Sequence, residues 1–269
     1  AAQEQETPAP KTYKIYAVCD AHLDTQWNWD LTHTIREYIP RILFQNLWML
    51  ERYPDYKFNF EGGIIYRWMK EYYPLHYARL QKYIDEGRWH ISGASWNAND
   101  PNMPSAESFI RNILQGQELY KREFGVRSTD IFLPDCFGFG YTLPSLAAHC
   151  GLIGFSTQKL SWRKHDFFPD APYHKKNPFS WGVWYGIDGQ SLMAAFDTGG
   201  YTAELPADAG YNKDFIRRAS NGFDNTAMRY YSGGHLHGTT NCGDKGNSGT
   251  VTTARRMAEA MAATPRRER

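Results

Sequence analysis

Two short stretches of this 269-residue chain carry side chains able to hold and use a metal. The first follows Tyr13 to Val18, a β-branched and aromatic run that predicts a buried strand, and it reads Asp20-Ala21-His22-Leu23-Asp24-Thr25-Gln26-Trp27. In extended backbone, alternate side chains share a face, so His22 and Asp24 present an imidazole nitrogen and a carboxylate oxygen to one point. That donor pair suits a divalent cation such as zinc. Taken alone it has a plainer use, with His22 in a local hydrogen bond and Asp24 capping the next helix. The second stretch begins with a predicted strand from Thr129 to Leu133, which runs directly into Pro134-Asp135-Cys136-Phe137-Gly138. Again a carboxylate stands just past a strand end. His22, Asp24 and Asp135 together are hard or borderline donors from two strand ends, the pattern of a catalytic metal with open positions.

The elements between these stretches set where they can meet. Apolar residues at Ile35, Ile39, Ile42, Leu43, Leu47 and Leu50 predict a helix over 31–52, kinked or restarted at Pro40. A strand over 56–60 follows, then Gly62-Gly63 and a helical region over 64–86 that Pro74 splits and Gly87 ends. Residues 89–92 predict a strand, and Gly93 to Pro101 is too polar and rich in turn formers for anything but a loop. Ser105 caps a helix that stops at Gly125, with Phe109, Ile110, Ile113, Leu114, Leu119 and Tyr120 on its expected buried face. A short helix over 144–150 and a strand over 153–156 continue the alternation, and 179–185 with 191–196 fit a hairpin around Gly186 to Gly189 or, nearly as well, a loop excursion. Residues 214–220 and 252–262 read as helices, and the glycines within 230–249 read as loop. Alternating strands and helices with short connections predict an α/β fold, a (β/α)-barrel of about seven parallel strands with its chemistry on the rim after the strands. One catalytic domain over 13–263 is expected, between a flexible leader at 1–12 and a charged tail at 264–269.

Composition narrows the partners. Thirty basic residues against 29 acidic ones give a net charge of +1, leaving no global field for nucleic acid or an anionic membrane. No run reaches membrane-spanning length. Nine Trp and 18 Tyr are a heavy aromatic load, suited to the apolar faces of sugars as well as to a core. The four cysteines contain no C-x-x-C pair, which argues against a cysteine metal site. The start at Ala-Ala-Gln-Glu is read as what removal of an export signal, or trimming of the chain, leaves, and the expected setting is periplasmic or secreted.

Three motifs in order give the chain a family resemblance. His22-Leu23-Asp24-Thr25-Gln26-Trp27, the loop Trp96-Asn97-Ala98-Asn99-Asp100, and Asp135-Cys136-Phe137-Gly138 followed by Leu143-Pro144 resemble the N-terminal catalytic region of glycoside hydrolase family 38, the retaining α-mannosidases. The likeness is clear from Tyr13 to about Trp162. It implies one Zn2+ per chain on His22, Asp24 and Asp135, with Asp135 also the nucleophile, and Trp27 and Phe137 lining the sugar subsite. It implies a mannose-containing oligosaccharide or glycoprotein glycan as substrate. Asp244, in a glycine-rich run, is the matching candidate for the acid/base, and Asp100, Lys159 and Tyr201 are candidates for the subsite. The family's fourth zinc ligand is a histidine of a downstream His-His-Asp motif that this chain lacks, and the context of His235 and His237 differs from it. Family members are also longer, so further domains or a homo-oligomer enter the expectation. Two rival readings stay open: a metal-dependent carbohydrate deacetylase, and an incomplete, inactive domain that binds glycan or a partner protein.

Overall fold

The computed structural model describes residues 14–136, 138–157, 181–196 and 226–232. Strand β1 (Lys14–Ala21) is followed by a single helical turn α1 (Leu31–His33), a π-helical turn (Thr34–Tyr38) and helix α2 (Ile39–Arg52). Then come β2 (Phe58–Phe60), α3 (Gly63–Tyr72), α4 (Pro74–Tyr77), α5 (Leu80–Asp85) and β3 (Trp89–Ile91). Helix α6 (Ala106–Phe124), β4 (Asp130–Phe132), α7 (Leu143–His149) and β5 (Gly154–Thr157) continue the alternation. Strands β6 (Trp181–Tyr185), β7 (Ser191–Phe196) and β8 (Thr226–Ser232) complete the described residues.

The strands form two four-stranded sheets, ordered β3-β2-β1-β8 and β4-β5-β7-β6. Every described pairing is parallel except that of β6 with β7. The expected ring of about seven parallel strands is thus met in part: the α/β alternation and parallel pairing are present, but the described strands do not close into one barrel. Two local causes are visible. The turn over 186–189 is too short for a crossover, so β6 and β7 are an antiparallel hairpin. Between β3 and β4 the ladder is replaced by side chains. Gly93 leaves extended geometry at φ +68°, and the Asp130 carboxylate accepts from Ser92 Oγ at 2.9 Å and from the Gly93 N–H at 3.3 Å. Ser128 Oγ donates to the same carboxylate, and the Ala94 N–H to the Asp130 carbonyl. A second correction concerns 230–249. Residues 226–232 pair in parallel with Lys14 to Asp20 of β1, so strand structure continues to Ser232 where a loop was expected.

Helix α6 follows from its sequence. Ser105 Oγ accepts from the Ser108 N–H, and Gly125 ends the helix at φ +72°. Phe109, Ile113, Gly116, Gln117, Tyr120 and Phe124 recur at helical spacing and are buried, while Leu114 lies on the outer side, 54% exposed. The buried Gln117 amide donates to the Ser128 carbonyl at 2.6 Å and accepts from its N–H at 3.0 Å, so the approach to β4 is fixed to the helix. Under β2 and β3 lies an aromatic core of Phe58, Phe60, Trp89 and Tyr66. Its polar atoms are satisfied in series: Trp89 Nε1 donates to Tyr66 Oη, and Tyr66 Oη to the Phe60 carbonyl. A buried polar atom without such a partner costs about 1–3 kcal/mol.

Candidate metal centre

His22 and Asp24 stand just beyond β1, and Asp135 just beyond β4. One donor atom from each lies within 4.8 Å of the other two. His22 is buried, and both carboxylates are half-buried, so the cluster opens towards solvent. His22 Nε2 is 3.3 Å from Asp24 Oδ1. Two donors on one tetrahedral zinc, each at about 2.0–2.1 Å, stand roughly that far apart. The residues therefore fit the ion in donor type and spacing.

One residue of the site carries no signal in the motifs. Glu61 Oε1 lies 2.7 Å from His22 Nδ1, and both side chains are buried. The contact follows from the sheet. β1 and β2 pair with Asp20 opposite Asn59 and Ala21 opposite Phe60, and one step further sets His22 opposite Glu61. Neighbouring residues of parallel strands share a face, so the two side chains meet. A rule already applied twice would have found Glu61: a carboxylate just past a strand end, on the rim that bears His22 and Asp135.

The electrostatics follow from burial and three charges. Burial opposes the His22 imidazolium, but hydrogen bonds to Asp24 and Glu61 and the charges of both outweigh it, pushing the pKa up to about 10. Burial raises the Glu61 carboxyl, the His22 contact pulls it down, and the Asp130 and Asp24 charges add to the rise. In the metal-free protein the raised His22 value contributes stability that is full below pH 6.5 and lost as the pH passes about 10. A cation needs Nε2 without its proton. Binding is expected to release about one proton per ion at pH 7, with apparent affinity rising about tenfold per pH unit from about pH 7 to 9. Titration calorimetry in two buffers of different ionisation heat measures the release, and no proton release would contradict it.

The loop after β3 ties both segments of the candidate cluster to α6. The Asn112 amide accepts from the Asn97 N–H and donates to the Asn97 carbonyl and Asn99 Oδ1, while its own carbonyl accepts from the Trp96 N–H. From this anchored loop, Asn97 Nδ2 reaches Thr25 Oγ1 at 3.5 Å, and the Asn99 carbonyl accepts from Cys136 Sγ beside Asp135. Asn102 Nδ2 donates to the Gly138 carbonyl on the same segment. Asp100 is exposed, and its Oδ1 accepts from the Asn102 and Met103 N–H groups, so that oxygen holds the turn. Trp27 is 55% exposed and meets Trp29 edge to face at 6.1 Å. Beneath this segment the buried Thr34 hydroxyl accepts from Trp29 Nε1 and donates to the Thr25 carbonyl. Phe137, Lys159, Tyr201, Asp244, His235 and His237 lie outside the described residues.

Residues 12–263 match the family described as glycosyl hydrolases family 38 N-terminal domain. The chain belongs to this family. Alpha-mannosidase G of Dictyostelium discoideum is 34% identical over 230 residues, which are 82% of this chain and 19% of that protein. Human alpha-mannosidase 2C1 is 33% identical over 187 residues, 70% of this chain and 17% of that protein. The family 38 chain thus spans about a fifth of the length of these curated relatives. An α-mannosidase structure from Enterococcus faecalis V583 aligns with TM-score 0.65 and 19% identity, over 82% of this chain and 25% of that one, a likeness of fold.

Proposed function

We propose that this family 38 domain carries the metal-binding and nucleophilic side of a zinc-dependent, retaining α-mannosidase that acts on mannose-containing oligosaccharides or glycoprotein glycans. The observation that carries the reading is the convergence of His22, Asp24 and Asp135. These three side chains would hold the ion. Zinc supplies positive charge that polarises sugar hydroxyl oxygens and orients the ring.

The remaining steps belong to the chain's own groups. An Asp135 oxygen bonds to C1 of the mannosyl unit as the bond from C1 to the leaving oxygen breaks, and that oxygen takes a proton from a second carboxyl. In retaining enzymes the two carboxyls stand about 5–5.5 Å apart. Asp244 remains the candidate for the second. Now a carboxylate, it accepts a proton from water as that water bonds to C1 and releases Asp135, so two inversions return the α configuration. Trp27 offers an exposed ring to the apolar face of the sugar. The same reading takes the two sheets as arcs of one barrel of about seven parallel strands, supported by the polar seam at Asp130.

The test uses p-nitrophenyl α-mannoside. Hydrolysis is expected to give α-mannose first by proton NMR, to fall to background with a chelator and to return with added Zn2+. β-Mannose as first product, or a rate indifferent to the chelator, would refute the proposal. Acetate release from an acetylated sugar in place of mannoside cleavage would favour a deacetylase.

A further inference from the structure

An imidazole lends one nitrogen to a cation with a fixed aim only when the other nitrogen holds its proton against a partner. For His22 that partner is already in place. Glu61 Oε1 stands 2.7 Å from Nδ1, on the side of the ring away from Nε2, which faces Asp24 Oδ1. Because it meets the far nitrogen, Glu61 is placed to back the ring, whereas Asp24 and Asp135 are placed to share a cation with it.

Glu61 is itself held. Its backbone continues β2 one step opposite β1, and the chain turns away at once at Gly62, φ +91°. The next two N–H groups, of Gly63 and Ile64, donate to the Ser95 and Trp96 carbonyls. On its other side the space is closed: a Cβ on Gly93 would stand 3.4 Å from Glu61 Oε2 and 3.3 Å from Phe132 Cβ. Only 6% of Glu61 is exposed, so water competes weakly for the contact.

We propose that Glu61 is a positioning residue of the metal centre, keeping the His22 proton on Nδ1 and aiming Nε2 at the point shared with Asp24 and Asp135. The proposal rests on the metal reading above and adds a third strand, β2, to the site. Gly93, at φ +68°, lies against the same carboxylate, with room for no more than a contact between them.

The experiment measures Zn2+ affinity of the 269-residue chain by competition with a chromophoric chelator, for the unsubstituted protein, Glu61→Gln and Glu61→Ala, with thermal melts of each. Glu61→Ala is expected to bind Zn2+ about 10–100-fold more weakly. Glu61→Gln, whose carbonyl still accepts from Nδ1–H, falls between. In nitrogen-15 NMR of the zinc-loaded protein, the His22 Nδ1–H signal exchanges slowly in the unsubstituted chain and in Glu61→Gln, and is lost in Glu61→Ala. If Glu61→Ala does not fold, Glu61→Gln decides alone through its weakened affinity. Affinity within twofold of the unsubstituted chain in a folded variant, even with a lowered melting temperature, would overturn the role. Failure of the unsubstituted chain to bind Zn2+ would overturn the metal centre itself, and the Glu61 role with it.

Discussion

Asp135→Asn is expected to lower kcat on an aryl α-mannoside by about 10^4-fold or more, measured at Zn2+ concentrations that saturate the variant. The change keeps the volume of the side chain and leaves an oxygen in ligand position. It removes the negative charge that the proposed mechanism uses to bond C1, and a neutral amide oxygen does this poorly. Saturation matters because one carboxylate of the donor cluster is lost, so affinity falls as well. Asp135 is half-buried, so the melting temperature should hardly move, a contrast that separates lost chemistry from lost fold. Asp24→Asn is the comparison: at saturating metal it should retain far more activity, since in the proposed mechanism Asp24 would only hold the ion and would form no bond to sugar. A retained kcat above about 1% in Asp135→Asn would remove that residue as nucleophile.

Gly116→Ala is expected to lower stability by roughly 3 kcal/mol, and the melting temperature by about 10 °C, although alanine is the better helix former. Two effects compete. Replacing a mid-helix glycine gains about 1 kcal/mol of propensity. Against it, a Cβ at Gly116 would stand 2.5 Å from the Ser95 carbonyl carbon and 2.7 Å from the Trp96 nitrogen, and closer still to the Ala94 oxygen. All three are backbone atoms, pinned on one side by the seam at Asp130 and on the other by Asn112. None of the three can swing aside as a side chain tip does, so the clash prevails. Gly125→Ala is the control. Its Cβ meets nothing within 4 Å, and the cost is the left-handed backbone alone, about 1 kcal/mol. Thermal melts rank the two, and a Gly116→Ala protein more stable than Gly125→Ala would contradict the packing described here.

How much of this could be read beforehand depends on how local each cause is. Alternation past β1 announced His22 and Asp24, and the run of β4 into Pro134 announced Asp135, because strand ends on one rim converge whatever lies between. The N-cap at Ser105 and the stop at Gly125 are equally local, and both stand as expected. Glu61 carried the same strand-end signal and was passed over, because its link to His22 comes from the pairing of β1 with β2. Its neighbours Gly62 and Gly63 drew attention to the opening helix. Leu114 was assigned to the core by hydrophobicity alone, yet lies outside, because α6 rests on its Gly116 side. The carboxylate seam at Asp130 has no periodic signature: Ser92 and Asp130 fall in expected strands, and nothing in the sequence says that they and Ser128 bond to one another until the sheets are seen to meet there.

The π-helical turn over 34–38 makes the surface around Trp27 vulnerable to a small genetic accident. Such a turn holds one residue more than a regular helix, and here it delivers the Thr34 hydroxyl under the segment that carries Trp27. Dropping one codon from that stretch would restore an ordinary α-helix and rotate everything before it by about 100°. The hydroxyl would leave its two partners, while α2 and the core beneath it stayed seated. One lost residue would thus disturb the whole segment from His22 to Trp29 and leave the helix behind it intact.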